Sequence, residues 1–499
     1  MSGNIIIIGG GIAGLAAGTY LQMNGYKTEI FEMHNLPGGL CTAWTRKGYR
    51  FDGCIHWLMG SGPSTDMHIM WKELGAVKNR KFVEWDEYVT YKSADGNIFT
   101  MYTDPDRLEK EMIRLGPDDK AQIRAFCKGI KKMSALDKPI GKHSFKKSMS
   151  LLTGALSAVP TFLKWGKISS SMFSSSLKSP ILKEFFGSFY QENGLPDFPM
   201  SGMMMMLGYM SIKSAGYPIG GSLAFSRSIE ARYISLGGKI NYKEKVEKIL
   251  VENDTVTGII SNGRKLKADR VISAADGYST IFSMLEGKYI SPLLKNAYES
   301  YTLFPSIIQI GIGLNKDFSN LPSMSVFPIK KEIILENGAL RLNTLGIRFM
   351  SFDPTNAPKG KTSAMIMIST RNETYWTELR DENPKKYSAE KFAVSKAVIN
   401  AIDEEYKGFK KAVEVVDVST PATIIRYTGN WRGSYEGFAP TRKNMMKNLG
   451  QTLPGLKNFY MLGQWTNPGG GLPPCSMSGR SITQKICRED KKKFVTTEL

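Results

Sequence analysis

The sequence predicts an α/β protein in which one parallel sheet is assembled from three separated chain segments, with an α+β domain inserted between them. Three observations predict it. Residues 5–32 read as strand, glycine turn, helix and second strand. Residues 215–290 return to that character after a long basic stretch. Residues 455–499 add a short apolar strand and a triple glycine.

The first block, "IIIIGGGIAGLAAGTYLQMNGYKTEIFE", opens on four isoleucines. A strand covered on both faces needs no polar alternation. Gly9, Gly11 and Gly14 follow in G-x-G-x-x-G spacing. Gly9 permits the tight turn, Gly11 lets the backbone meet a pyrophosphate, and Gly14 lets the helix pack closely on the strand. Residues 12–24 suit a helix, with Gly18 facing the strands and Gly25 ending it. The second strand ends in Glu32, whose carboxylate can accept both hydroxyls of an adenosine ribose and disfavours a 2′-phosphate. The spacing alone is weak; with a strand before it, a helix after it and the acid beyond, it specifies a Rossmann-type dinucleotide site. Gly38 and Gly39 begin a second turn close to the first.

Further along, residues 82–102 suit short strands, and "TDPDRLEKEMIRLG" starts a helix with Asp104 as N-cap and Pro105 in the first turn. Residues 217–276 read as turn, helix, glycine end and strands. Residues 305–370 are strand-rich, and 387–406 form a helix. In "GQWTNPGGGLPPCSMSGR" (463–480), Gly469, Gly470 and Gly471 allow close backbone approach. Pro473 and Pro474 stiffen the turn, and a helix over 475–490 has Ser476 or Ser478 near its start. A glycine turn feeding a helix N-terminus favours negative charge. The nucleotide-binding domain therefore takes residues 1–70, 215–290 and 455–499, and the substrate domain takes 71–214 and 291–454.

The composition is that of a globular protein, with 42% hydrophobic and 22% charged residues in a chain of 499. No run of 18 apolar residues occurs, so no membrane-spanning helix is expected, and no signal peptide precedes the first strand. Cys41, Cys54, Cys127, Cys475 and Cys487 lack CxxC spacing, and His34, His56, His68 and His143 lack ligand spacing. We read free thiols in a reducing, cytoplasmic compartment and no metal site. The net charge of +20 is uneven: residues 126–186 hold eleven lysines against Asp137 and Glu184. Within them, the uncharged 148–163 is interrupted by Pro160 and flanked by Lys146, Lys147, Lys164 and Lys167. This suits the plane of an anionic membrane surface; the alternative is a helix pair with a solvated basic face. Nucleic acid ranks last, because the stretch has no arginine and few aromatics.

These motifs resemble the FAD-dependent flavoproteins of the phytoene desaturase type, with their carotenoid isomerase and retinol saturase branches. The resemblance runs nearly end to end. It rests on the first block, the Gly38-Gly39 pair, "GYRFDGCIHW", "GYPIGGS", "KVEKI", "ISAAD", "TPATIIRYTGNWRGSYEG" and "GQWTNPGGGLPP". It implies FAD in an extended pose and a tunnel for a hydrophobic substrate, with Val246 against the adenine. Two departures stand out. "GQWT" lacks the acid that many relatives carry near the ribityl chain, so Gln464 must substitute or the contact is lost. The related amine oxidases have arginine directly after the double glycine, where this chain has Leu40.

The candidate cofactor residues are thus Gly9, Gly11, Ile12, Ala13, Gly14, Glu32, Gly38, Gly39, Leu40, Val246, Gly463, Gln464, Gly470, Gly471 and Leu472. No second fingerprint exists for a nicotinamide domain, so electrons come from a diffusible donor or leave to an unidentified acceptor such as a quinone or oxygen. His56 is the candidate proton donor. The six methionines of "MSGMMMMLGYM", with Tyr427, Trp431 and Trp465, are candidates for the substrate wall or for ordinary core. The leading expectation is an FAD-dependent oxidoreductase that saturates, desaturates or isomerises carbon–carbon bonds of an isoprenoid, polyene or lipid-like molecule. The alternatives are a flavin amine oxidase and a non-enzymatic prenyl-protein escort.

Overall fold

A computed structural model describes residues 3–136, 140, 145–191, 195 and 197–498. A five-stranded parallel sheet runs in the order Lys239–Tyr242, Lys27–Glu32, Asn4–Ile8, Arg270–Ser273, Phe459–Met461. Its strands come from three distant parts of the chain. Ile5 to Ile8 are all buried because both faces are covered. On one face lie the helices Ile12–Met23, Gly221–Ser235 and Leu472–Glu489. A methyl group on Gly18 would press on Tyr233 and lie 3.3 Å from Ile30, and one on Gly479 would lie 2.6 Å from the Ala17 backbone nitrogen. Glycine at these positions is therefore what brings the helices this close. On the other face an antiparallel meander, Val246–Glu252, Thr255–Ser261 and Arg264–Lys267, buries Ile249 and Ile259 against Ile6, Ile8 and Val271.

The second sheet has seven strands in the order Val413–Ser419, Ser306–Leu314, Thr362–Thr370, Leu340–Phe349, Met324–Leu335, Glu87–Lys92, Ile98–Tyr102. All neighbours are antiparallel except the pair Met324–Leu335 and Glu87–Lys92. One face packs Ile308, Ile310, Ile347 and Ile366 on the helix Pro384–Glu405 through Val394, Val398 and Ile402. The other face looks toward the first sheet. A group of helices, including Lys120–Met133, Pro180–Gln191 and Met200–Ser211, closes that side. Asp104 caps the helix Pro105–Leu115, its carboxylate accepting from the Arg107 N–H at 2.8 Å.

Two helices differ from the sequence reading. The C-terminal helix begins at Leu472, with Gly471 as its N-cap, so Pro473 and Pro474 lie inside its first turn and Ser476 and Ser478 lie deeper. Backbone N–H groups in the first turn have no intrahelical acceptor, so the donor that proline lacks is not missed, and the prolines begin the helix rather than delay it. The helix Phe145–Trp165 runs on through Pro160, so the break expected there does not occur. Residues 137–139 and 141–144 of the basic segment, with His143, lie outside the described residues. Among the described residues no helix is long and apolar enough to cross a membrane.

Candidate active site

The two sheets enclose one cavity of about 1590 Å³. Its floor is the first glycine turn. Gly9 has φ +98°, and a side chain there would lie 3.0 Å from the Ala274 carbonyl oxygen. Gly14 lies so close under the Gly9 carbonyl that a methyl group has no room. Gly11 differs: a Cβ would meet nothing nearer than the Gly38 carbonyl oxygen at 3.9 Å, and it opens on the cavity. The space above Gly11 is thus kept for a ligand rather than filled by the protein.

Glu32 is buried at the end of its strand. Its carboxylate accepts from the Gly10 N–H at 2.6 Å and the His34 N–H at 2.8 Å. Burial raises its pKa and these backbone donors oppose the rise. Each oxygen keeps acceptor capacity for a ribose hydroxyl. The second turn sits beside the first, with the Gly38 N–H donating to the Gly10 carbonyl at 2.9 Å. Gly38 and Gly39 both have positive φ, +102° and +60°. At the far end Gly469, Gly470 and Gly471 have φ of +103°, +31° and +91°. The Ser478 hydroxyl accepts from the Gly463 N–H at 2.9 Å, tying this loop to the helix below it.

Gly9, Gly11, Ile12, Ala13, Glu32, Gly38, Gly39, Leu40, Val246, Gly463, Gln464, Gly470, Gly471, Leu472 and His56 all border this one cavity. Gly14 lies beneath it as a packing residue. The three blocks of sequence therefore converge on a single elongated cradle. Backbone N–H groups at its floor, a carboxylate at one end and a helix N-terminus at the other fit a dinucleotide.

Beyond the cradle the cavity becomes a chamber bordered by Trp57, Met59, Met67, Phe185, Phe189, Met205 and Met324. Of the six methionines in "MSGMMMMLGYM" only Met205 reaches it; the others pack with the core around it. Tyr427 borders the cavity at the cradle end, ring against ring with His34 at 4.7 Å. Trp431 stacks instead on Tyr278 at 4.7 Å, in an aromatic group with Tyr298 and Trp465. Trp465 also borders the cavity.

The polar groups that border the cavity include His56, Arg348, Cys54, Cys475 and Glu436. Burial, with the neighbouring Arg348, pushes His56 down to about 3, so its imidazole is neutral at pH 7. The neighbouring Cys41 thiol and burial hold Cys54 protonated, and burial with the Glu436 carboxyl beside it holds Cys475 protonated. The Glu436 carboxyl has no hydrogen-bond or ion-pair partner among the described residues, and its removal from water raises its pKa to about 7. A Cβ on Gly471 would lie 3.6 Å from its Oε1, so it stands at the head of the C-terminal helix. Glu436 and Arg348 were not found from the sequence. Glu436 is one acid in a loop with no spacing signature. Arg348 alternates with Ile347 and Phe349, a pattern that reads as solvent-facing; its face is covered by the chamber instead.

A profile of the flavin containing amine oxidoreductases matches residues 12–487. The chain belongs to that family. It is an FAD-dependent oxidoreductase, and its cradle fits the cofactor on the grounds just given. This flavoprotein is similar to prolycopene isomerase 2 of an Oncidium hybrid cultivar, 24% identical over 97% of this chain and 84% of the relative. It is also similar to a 1-hydroxycarotenoid 3,4-desaturase of a Flavobacterium species, 26% identical over 96% of this chain and 98% of the relative. In fold it matches an oxidoreductase from Methanosarcina mazei, with a TM-score of 0.60, 18% identity, and coverage of 96% and 100% of the two chains. Putrescine oxidase in complex with putrescine matches at a TM-score of 0.60 with 13% identity, over 98% of this chain and 99% of that one.

Proposed function

We propose that this flavoprotein transfers hydride to or from a carbon of a carbon–carbon bond in a long apolar molecule of the polyene or lipid class. The observation that carries this reading is the volume and character of the cavity. Pockets for one drug-sized ligand hold about 300–1,000 Å³, and this one holds about 1590 Å³. The cradle accounts for the dinucleotide, and the rest of the wall includes Met59, Met67, Met205, Met324, Trp57, Phe185 and Phe189, a surface that suits an apolar chain, with Arg341, Asn343 and Arg348 among its polar groups. The curated relatives named for carotenoid desaturation and isomerisation agree with it.

Bound FAD supplies hydride exchange at its N5. The chain's own residues do the rest. Gly11 and Gly39 admit the cofactor backbone, and Glu32 holds the ribose. Met59, Met67, Met205 and Met324 exclude water from the reacting bond, which protects a reduced or charged species from side reactions. A saturating or desaturating step also moves a proton. Neutral His56 has none to release at pH 7, whereas the Glu436 carboxyl, at about 7, can hold or take one. An acid with a pKa near the working pH is the efficient case.

The test reduces the flavin anaerobically in deuterated buffer and adds polyenes, enones and unsaturated lipids. One deuterium on each former alkene carbon marks saturation, and unchanged mass with altered geometry marks isomerisation. Reduction of the oxidised enzyme by the saturated partner marks desaturation. If amines alone reduce the flavin, the carbon–carbon reading fails.

We also propose that the helix Phe145–Trp165 docks on an anionic membrane. Met149, Leu152, Leu156, Val159 and Leu163 are exposed at spacings of three and four, Leu156 by 68%. They form one apolar stripe on the helix, and Lys164 and Lys167 beside its end are exposed. Each lysine near such a surface contributes about 1 kcal/mol. Sedimentation with anionic vesicles is expected to exceed that with neutral ones and to fall with salt; equal recovery from both refutes it.

A further inference from the structure

Arg348 is only 6% exposed, yet it borders the cavity. Its side chain enters from the strand Leu340–Phe349 and donates to the His56 carbonyl oxygen at 3.3 Å. The Tyr88 hydroxyl lies beside it, and its guanidinium faces the Trp85 ring with the centroid 5.8 Å away. No carboxylate stands within salt-bridge distance among the described residues. Three other arginines bordering the same cavity do have one: Arg46 pairs with Asp417, Arg341 with Glu332 and Arg380 with Asp381. Arg426, which also borders it, donates to the Tyr427 hydroxyl instead.

The one acid whose charge acts appreciably on Arg348 is Asp52. Asp52 is committed elsewhere. It accepts from the Ser222 N–H at 2.5 Å, the Ser222 hydroxyl at 2.6 Å, the Cys54 N–H at 3.2 Å and the Tyr217 hydroxyl at 3.4 Å. A guanidinium cannot escape its charge by losing a proton. A buried charge without a counter-charge is costly to the fold, and a chamber for a pure hydrocarbon has no use for one. The donors left over on Arg348 match the two oxygens of a carboxylate or phosphate, which a guanidinium binds as a fork.

We propose that Arg348 is the head-group site of the chamber, and that the substrate is an amphiphile whose apolar chain ends in a carboxylate or phosphate. The inference rests on the carbon–carbon reading above and narrows its substrate class. A chain anchored at Arg348 lies along the methionine wall with its bonds held at a fixed distance from the cofactor. That registration is what a uniform hydrocarbon lacks.

The test is binding to the FAD-loaded enzyme, read by flavin absorbance and tryptophan quenching rather than turnover. The probes are a long polyunsaturated carboxylic acid, its methyl ester, the phosphate monoester of the matching alcohol, and the hydrocarbon of equal length. The acid or the phosphate is expected to bind at least tenfold more tightly than ester and hydrocarbon, about 1.4 kcal/mol; whichever of the two is tighter identifies the head group. Arg348→Gln is expected to lose that preference and keep the hydrocarbon affinity, and Arg348→Lys to keep part of it. Arg348→Met controls for folding. Since it removes a buried charge that has no counter-ion, the ligand-free variant is expected to melt at or above the parent temperature. Equal affinity for acid and ester, a preference that survives Arg348→Gln, or a large drop in melting temperature for Arg348→Met each overturns the proposal. Hydride exchange with a hydrocarbon, indifferent to head group, sinks this inference and leaves the carbon–carbon reading standing. Tight acid binding without hydride exchange does the reverse.

Discussion

A methyl group on Gly14 would overlap the Gly9 carbonyl, while Met59, Met205 and Met324 present flexible thioethers to the cavity. The cradle recognises its ligand with bare backbone, so its specificity lies in side chains that are missing. The chamber recognises with side-chain surface, so its specificity lies in the few polar groups set among methionines. The first kind of site tolerates almost no substitution. The second absorbs most changes and fails only at those few polar groups.

The sharpest way to break this contrast is Gly11→Val. The position has φ −68°, which valine adopts, and the nearest atom to a new Cβ is 3.9 Å away. The variant is expected to fold and to lose FAD affinity at least about 100-fold, near 2.7 kcal/mol. Flavin absorbance after purification measures it. Full flavin content would mean that the cofactor does not pass over Gly11.

Glu436→Gln comes next. Flavin content is expected to hold while turnover falls by about 10²- to 10⁴-fold, the usual loss for a general acid. It has a second signature in the free protein. Burial lifts this carboxyl from 4.5 to about 7, so between those values the folded protein keeps a proton that the unfolded chain has released. The stability linked to that proton is full below about pH 4.5 and is lost as pH rises through about 7. Glu436→Gln is expected to flatten the pH dependence of unfolding free energy across that window and to be more stable than the parent at pH 8, by something on the order of 1–3 kcal/mol. Identical pH profiles would remove Glu436 from the proton account.

Met205→Leu is the smallest change and tests the tolerant side. A volume-conserving swap costs less than about 1.5 kcal/mol in stability. KM for a chain-like substrate is expected to move a few-fold, with flavin content and kcat nearly unchanged. A collapse in kcat would mean that the wall positions the reacting bond itself.

The same contrast explains what could be read without a structure. Backbone recognition demands glycine at fixed intervals, and glycine is visible in a sequence. Gly9, Gly11, Gly38, Gly39, Gly470 and Gly471 therefore led to the cradle. Recognition by an isolated polar side chain leaves no interval to detect. Glu436 and Arg348 acquire their meaning only when distant segments fold over them, and Arg348 carries the alternation of an ordinary surface residue. Prolines misled in both directions: Pro160 does not end its helix, and Pro473 and Pro474 begin one. The aromatics divided by tertiary packing, with Tyr427 against His34 and Trp431 against Tyr278.

The parallel sheet joins its first strand to one completed only at Phe459–Met461. The helix after that strand packs on the first helix of the chain, and the Tyr26 hydroxyl donates to Asp490 across 464 residues of sequence. During synthesis the isoleucine strand and the glycine turn emerge early and then wait for their last neighbours. Contacts of such long sequence separation form slowly, and the apolar faces they will cover stay open to chaperones and to self-association in the meantime. The cofactor cannot act as an early folding template, because its cradle is complete only when the final helix docks. Truncating that helix by a few turns should therefore cost the cell soluble protein before it costs any chemistry.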